Sequence, residues 1–207
     1  LGGRVRYSSL DEREQRFARM LFFSLWPNAG GFGSYQEGFD VLAKNQAVRD
    51  EISQIVAIAL ASATHVTAPL EQGMEGVTLR THAHYSREEA LAALDWASLT
   101  RKPSAFVTGV VWSESMATDA FFVTLQKSES EYKATTMYRD FAVSPDVFHW
   151  ESQNATSTDS PVGQRYLHHR ELGSHILILA RTTKSNEWKG PRAFRCLGPA
   201  TIAGHQG

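Results

Sequence analysis

The sequence predicts a mixed α+β fold: an N-terminal helical segment, then a curved β-sheet or partly closed barrel with one flanking helix. Three observations carry that prediction. Two segments open with capping-box chemistry, Asp11 with Glu14 and Ser86 with Glu89, and apolar residues at helical spacing follow each. Beyond Val107, short apolar and β-branched runs stand between Gly and Pro turn signals. One of these runs, from His175 to Arg181, is apolar throughout its interior, as a strand buried on both faces requires.

Taken in order, Asp11 caps a first helix carrying Phe17, Met20, Leu21 and Leu25, and Pro27-Asn28-Ala29-Gly30-Gly31 ends it. A short helix is expected over residues 35–42 and a longer one over 47–64. In the longer one Ile52, Ile55, Val56, Ala59 and Leu60 form an apolar stripe. Such helices pack as a small bundle or as an arm docked on the next unit. Residues 69–76 read as a linker or loop. The texture changes near Val77, which divides a helical segment at 1–76 from a β-rich domain at 77–207. Val77-Thr78-Leu79-Arg80-Thr81-His82 alternates like a strand. Ser86 then caps a helix that carries Ala90, Leu91 and Leu94 to about Trp96. Strands are expected at 107–112, 120–125 and 175–181. Two more are expected at 194–197 and 200–203, on either side of a Gly198-Pro199 turn.

Bulk composition narrows the function classes. The 207 residues are 42% hydrophobic and 21% charged, with a formal net charge of −1, so there is no overall basic or membrane footprint. The basic charge gathers late: residues 161–207 hold seven Lys or Arg against two acids, a local net charge of +5. The lone Cys196 permits no intrachain disulfide, which fits a reducing compartment and a cytoplasmic location. No apolar run approaches the ~20 residues of a membrane span. The chain opens at Leu1-Gly2-Gly3 and stops at Gly204-His205-Gln206-Gly207, as expected of a piece of a longer polypeptide.

The densest chemistry lies in residues 135–169. Tyr138, Phe141, Phe148, Trp150 and Tyr166 are interleaved there with Asp140, His149, Gln153, Asn154, Gln164 and Arg165. Aromatic faces beside amide, carboxylate and guanidinium groups suit a flat polar ligand, and a nucleobase needs both stacking and edge hydrogen bonds. Phe141 and Phe148 are expected in the core. Trp150 and Tyr138 suit either place, since their polar edges need partners when buried. Other chemistries each lack a residue. His82 and His84 share a face of an extended strand, but no paired-Cys or His-Glu-x-x-His site accompanies them. Asp146 and Glu151 faintly follow a nuclease pattern, with Gln153 where a Lys is needed. Cys196 has no evident base, and Gly30-Gly31-Phe32-Gly33-Ser34 lacks the Lys of a phosphate loop. No catalytic residue, metal or cofactor is therefore expected, and the chain is not expected to be an enzyme by itself.

Several longer motifs fall in a recognisable order. They are His82-Ala83-His84-Tyr85-Ser86-Arg87-Glu88-Glu89, Asp119 to Lys127, Thr135-Thr136-Met137-Tyr138-Arg139-Asp140, Phe148 to Asn154, Gly163-Gln164-Arg165-Tyr166 and Leu197-Gly198-Pro199. From about Thr78 onward the chain thereby resembles the C-terminal domain of unknown function of bacterial superfamily-II helicases. That group includes type IV, modified-DNA-dependent restriction enzymes with a phospholipase-D-like nuclease domain. The resemblance implies a non-catalytic target-recognition domain similar to modified-base readers of the SRA/PUA-like type. It implies a modified cytosine such as 5-methylcytosine as the target, read by base flipping. It also implies modified duplex DNA and the helicase and nuclease domains of a parent polypeptide as partners, with no membrane. Family members continue past Gly204-His205 into another apolar strand. On this reading Tyr138, Asp140, His149, Trp150, Gln153 and Asn154 recognise the base, and Arg165, Arg170, Arg181, Lys184 and Lys189 hold the DNA backbone. The alternative is a protein-docking module that couples motor to nuclease and binds no DNA itself.

Overall fold

A computed structural model describes residues 6–64, 66–71, 73–126, 140–152 and 156–205. The first helix, α1 (Glu12–Leu25), starts where Asp11 accepts a hydrogen bond from the Glu14 amide at 2.8 Å and Glu14 reaches back to the Asp11 amide at 3.0 Å. Its inner face buries Met20, Phe22 and Phe23. A tight 3-10 turn follows, with left-handed φ at Ala29, Gly30 and Gly31. Helix α2 (Tyr35–Lys44), capped by Ser34, then packs back on α1. The contact needs Gly38, where an added Cβ would lie 2.5 Å from the Phe22 ring. Phe23, Trp26, Phe32, Tyr35 and Phe39 surround Phe22. Burial pushes the Tyr35 hydroxyl up to about 12. Helix α3 (Gln46–Ala61) buries no residue, and Ile55, Val56, Ile58 and Leu60 stand exposed, Leu60 at 74%. The apolar stripe read from the sequence is real, but among the described residues it covers no core.

Residues 69–76 are more than a linker. Strand β1 (Ala68–Pro69) pairs with β2 (Arg80–Thr81), and Leu70 and Met74 between them are fully buried. The expected strand at 77–82 shrinks to β2: the Val77 amide closes a turn on the Met74 carbonyl at 3.0 Å before it, and His82 takes a left-handed φ of 70° after it. That turn separates β2 from β3 (His84–Tyr85), so His82 and His84 do not share a strand face. Helix α4 (Arg87–Ala93) has both capping-box bonds between Ser86 and Glu89. Ala90, Leu91, Ala92, Ala93 and Leu94 are sealed on every side, between α1 and the main sheet. Full burial of a Leu contributes roughly 1.5–3 kcal/mol, so α4 is the hinge pin of the packing.

The main sheet has five strands in the order β3, β9 (Phe194–Ala200), β8 (His175–Arg181), β5 (Thr118–Thr124) and β4 (Val110–Ser113). It is mixed: β5 and β8 run parallel and the other neighbours run antiparallel. Among the described residues the sheet stays open, with β3 and β4 at its edges, and is not a closed barrel. Every residue of β5 is buried, as a central strand covered on both faces requires. Alternation divides the faces. Ala120, Phe122, Leu177, Leu179 and Cys196 meet α4 and α1 on one side. Phe121, Val123, Ile176, Ile178 and Ala180 face Tyr166, Phe148 and Trp150 on the other. Cys196 is thus a small core residue, and burial pushes its thiol up to about 11.

The strands expected at 194–197 and 200–203 are one strand. Gly198 adopts φ +107°, and the β8–β9 register shifts between Ile178 and Leu179, so a bulge replaces the turn. Parallel strands need a long crossover. Here it contains the ribbon β6 (Phe141–Ala142) and β7 (Phe148–His149) and the helix α5 (Pro161–Leu167). Ser160 caps α5 through the Gly163 amide at 3.0 Å, with Pro161 at its first position. No helix among the described residues is long and apolar enough to cross a membrane.

Candidate functional site

The segment from Asp140 to Glu151 is a two-stranded ribbon rooted in the sheet. Phe141 pairs with His149 and Ala142 with Phe148. The Val143 amide donates to the Val147 carbonyl at 2.8 Å and closes the tip. Cross-strand partners share a face, so Phe141 and His149 point one way and Ala142 and Phe148 the other. Trp150, two residues after Phe148, points inward with it. Its ring stacks on Phe121 at 4.1 Å and 22°, and meets Tyr166 edge-on at 5.7 Å. Asp140 is buried at the root and accepts from the Glu151 amide at 3.0 Å. The opposite face is presented to solvent. Phe141 is 50% exposed and stacks on His149 at 4.8 Å, with exposed Val143 and Val147 beside it.

Beneath the ribbon, α5 carries Arg165 across β5. Its Nε and Nη2 donate to the two carboxylate oxygens of Asp119 at 2.7 and 2.8 Å. The guanidinium also lies over the Trp112 ring at 4.2 Å. Asp119 is 1% exposed; burial pushes its carboxyl up from the ordinary value, against the pull of Arg165. The hydrogen bond to Asp119 in turn holds Arg165 above its ordinary value, and burial raises the neighbouring Tyr166.

The β8–β9 hairpin carries cationic residues at both ends. At the start of β8, an open cleft of about 250 Å³ is lined by His169, Arg170, Ser174, His175, Pro199 and Thr201 among others. His169 is buried there and its Nδ1 donates to the Ser174 carbonyl at 3.2 Å. At the far end, residues 182–193 form a finger between the strands. Arg181 clamps its base: Nε donates to Thr124 Oγ1 at 3.0 Å, Nη1 to the Arg192 carbonyl at 3.2 Å, and the guanidinium covers Phe194 at 4.3 Å. Lys184, Lys189 and Arg192 are exposed on the finger, and Trp188 at its tip is 83% exposed. The two ends lie about 20 Å apart at the usual rise of a strand.

A family model described as a domain of unknown function, DUF3427, matches residues 79–206. The chain belongs to the DUF3427 family. The family is helicase-associated, and the match takes in the whole five-stranded sheet, the ribbon and the finger. A comparison with curated proteins returns no match.

Within the DUF3427 segment, the residues expected to recognise a base separate into different surroundings. Tyr138, Gln153 and Asn154 lie outside the described residues. Of the rest, His149 faces solvent, Trp150 has one ring face covered by Phe121, and Asp140 holds the ribbon root. Phe148 packs in the core as expected. Phe141 does not, because its cross-strand pairing with His149 turns it outward. Arg165, expected to hold the DNA backbone, forms an ion pair with Asp119, a buried carboxylate that needs a counter-charge. Arg181 is likewise engaged inside the fold. Arg170, at the cleft, is separated from Lys184 and Lys189 on the finger. Trp188 escaped the sequence reading, although a tryptophan among Asn186, Lys189 and Gly190 in a polar turn was a usable signal. No cluster of three or more His, Cys, Asp or Glu able to hold a metal is found among the described residues.

Proposed function

We propose that this DUF3427 domain is the DNA-binding target-recognition module of a modification-dependent, type IV restriction enzyme, reading a modified cytosine such as 5-methylcytosine. The observation that carries the reading is the outward stack of Phe141 on His149, on a ribbon whose inner face is fixed by Trp150, Phe121 and Tyr166. A rigidly rooted ribbon offering an aromatic face and a hydrogen-bonding ring can enter a groove or receive an unstacked base. Flipping a nucleotide costs a few kcal/mol. Stacking returns about 1–3 kcal/mol per base, and phosphate contacts by Arg170, Lys184 and Lys189 supply the remainder. Helicase association supports a module that works alongside a motor and, in the type IV reading, a nuclease.

The test is a gel-shift panel on one duplex in four forms: unmodified, 5-methylated, 5-hydroxymethylated and phosphorothioated, each at two salt concentrations. The expected result is tighter binding to a cytosine-modified form, with affinity falling as salt rises. No binding to any form at low salt would sink the reading.

A second reading has its own observation. The exposed Ile55, Val56, Ile58 and Leu60 on α3 suit docking onto the helicase or nuclease region of a parent polypeptide. On that reading alone, Ile58→Glu with Leu60→Glu abolishes association with those regions and the isolated chain binds no DNA.

A further inference from the structure

The finger between β8 and β9 is built to hold one tryptophan away from the protein. Asn186 organises it. Its Oδ1 accepts from the Trp188 amide at 3.0 Å and the Gly190 amide at 2.9 Å. Its own amide donates to the Gly190 carbonyl at 2.8 Å, and the Lys189 amide donates to the Asn186 carbonyl at 3.0 Å. Lys189 takes a left-handed φ of 60°, which closes the turn. Below it, Ser185 bridges Pro191, the Arg192 amide donates to the Lys184 carbonyl at 3.0 Å, and Arg181 ties the base to β5. This many internal bonds define the backbone of the tip, where Trp188 is 83% exposed. Lys184, Lys189 and Arg192 are exposed on the same finger as the indole, against one acid, Glu187.

We infer that Trp188 is a stacking platform for an unpaired base of a nucleic acid strand, with Lys184, Lys189 and Arg192 on the flanking phosphates. The inference rests on the nucleic-acid reading given above but assigns a separate contact, indifferent to cytosine modification. Stacking needs one aromatic face and nearby cations, which is what the finger supplies. A lipid surface needs more apolar area than one indole among Thr183, Ser185, Asn186 and Gly190. A protein hot spot centres on a well-packed, desolvated pocket, whereas the rim here is charged. A closed duplex keeps its bases stacked on one another, so the preferred ligand is a single strand or a duplex with a single-stranded overhang.

The experiment measures fluorescence anisotropy of the full 207-residue chain with a labelled single-stranded oligonucleotide, an overhang duplex and a blunt duplex, 5-methylated and unmodified. Trp188→Ala is expected to weaken single-strand and overhang binding about 10-fold, and Trp188→Phe to stay within about threefold of wild type. Lys189→Asn, which tolerates the left-handed turn, is expected to reduce the single-strand salt slope by about 0.7. Single-strand binding unchanged by Trp188→Ala overturns the inference. So does its absence at low salt, or Trp188-dependent binding to phosphatidylserine vesicles without binding to DNA. A wild-type chain that does not distinguish 5-methylated from unmodified duplex overturns the modified-cytosine reading and leaves the finger standing.

Discussion

Trp150 and Phe141 belong to one ribbon and serve it differently. Trp150 is wedged between Phe121 and Tyr166, so Trp150→Ala opens a hole under the ribbon and is expected to cost about 3 kcal/mol of stability. Phe141→Ala removes an exposed ring and is expected to cost under about 1 kcal/mol, while weakening duplex binding. Urea denaturation of both variants beside a gel shift separates the roles; equal stability losses would remove the distinction. Arg165 is the counter-charge of Asp119. Arg165→Met leaves a buried carboxylate alone, at a cost of about 3–5 kcal/mol near neutral pH. Without the guanidinium, the Asp119 carboxyl rises further above its unfolded value. The folded state then binds more protons than the unfolded one between those two pKa values. Stability of Arg165→Met therefore increases as pH falls through that window, and urea midpoints at a series of acidic pH values check the sign.

At the level of elements, the sequence was most legible where side chain and backbone agree locally. Both capping boxes, at Asp11 and Ser86, appear with their reciprocal bonds, and β8 spans the residues its apolar run announced. One misreading comes from a tertiary contact that no local window contains, another from a local signal masked by its neighbours. Gly198 and Pro199 look like a turn, yet a bulge against β8 carries the strand through them. The helix α5 was hidden by its Ser- and Thr-rich approach, though Ser160-Pro161 is a cap followed by a first-turn proline. Its position is fixed by Gly163, where an added Cβ would sit 2.0 Å from the Ser157 carbonyl oxygen. Gly163→Ala is expected to lose about 1–3 kcal/mol by thermal melting, since backbone must move. The exposed stripe of α3 carries the opposite expectation: Ile58→Glu with Leu60→Glu leaves the melting temperature within about 2 °C of wild type, because no core is disturbed.

Over the whole molecule, the helical start and the family domain share one core. Phe22 and Phe23 of α1 lie in the same buried cluster as Leu91, Leu94 and Leu177. Asp95 at the end of α4 pairs with Arg16 at 3.0 Å and with Arg19. Ser113 donates to the Leu94 carbonyl at 2.6 Å and ties the same corner to β4. Hydrogen exchange is therefore expected to protect α1, α4 and β5 together in one cooperative unit, with α3 exchanging earlier. The site is less legible than the fold, because exposure depends on pairing. Phe141 and Phe148 look alike in sequence, and only their opposite positions in the β6–β7 register send one to solvent and the other to the core. The central proposal is that the outward face of that ribbon reads modified cytosine. It is tested most directly by the ratio of dissociation constants for 5-methylated and unmodified duplex, in wild type and in Phe141→Ala. A clear preference for the methylated duplex that falls to unity in Phe141→Ala supports it. A wild-type ratio of unity, or a preference untouched by Phe141→Ala, contradicts it.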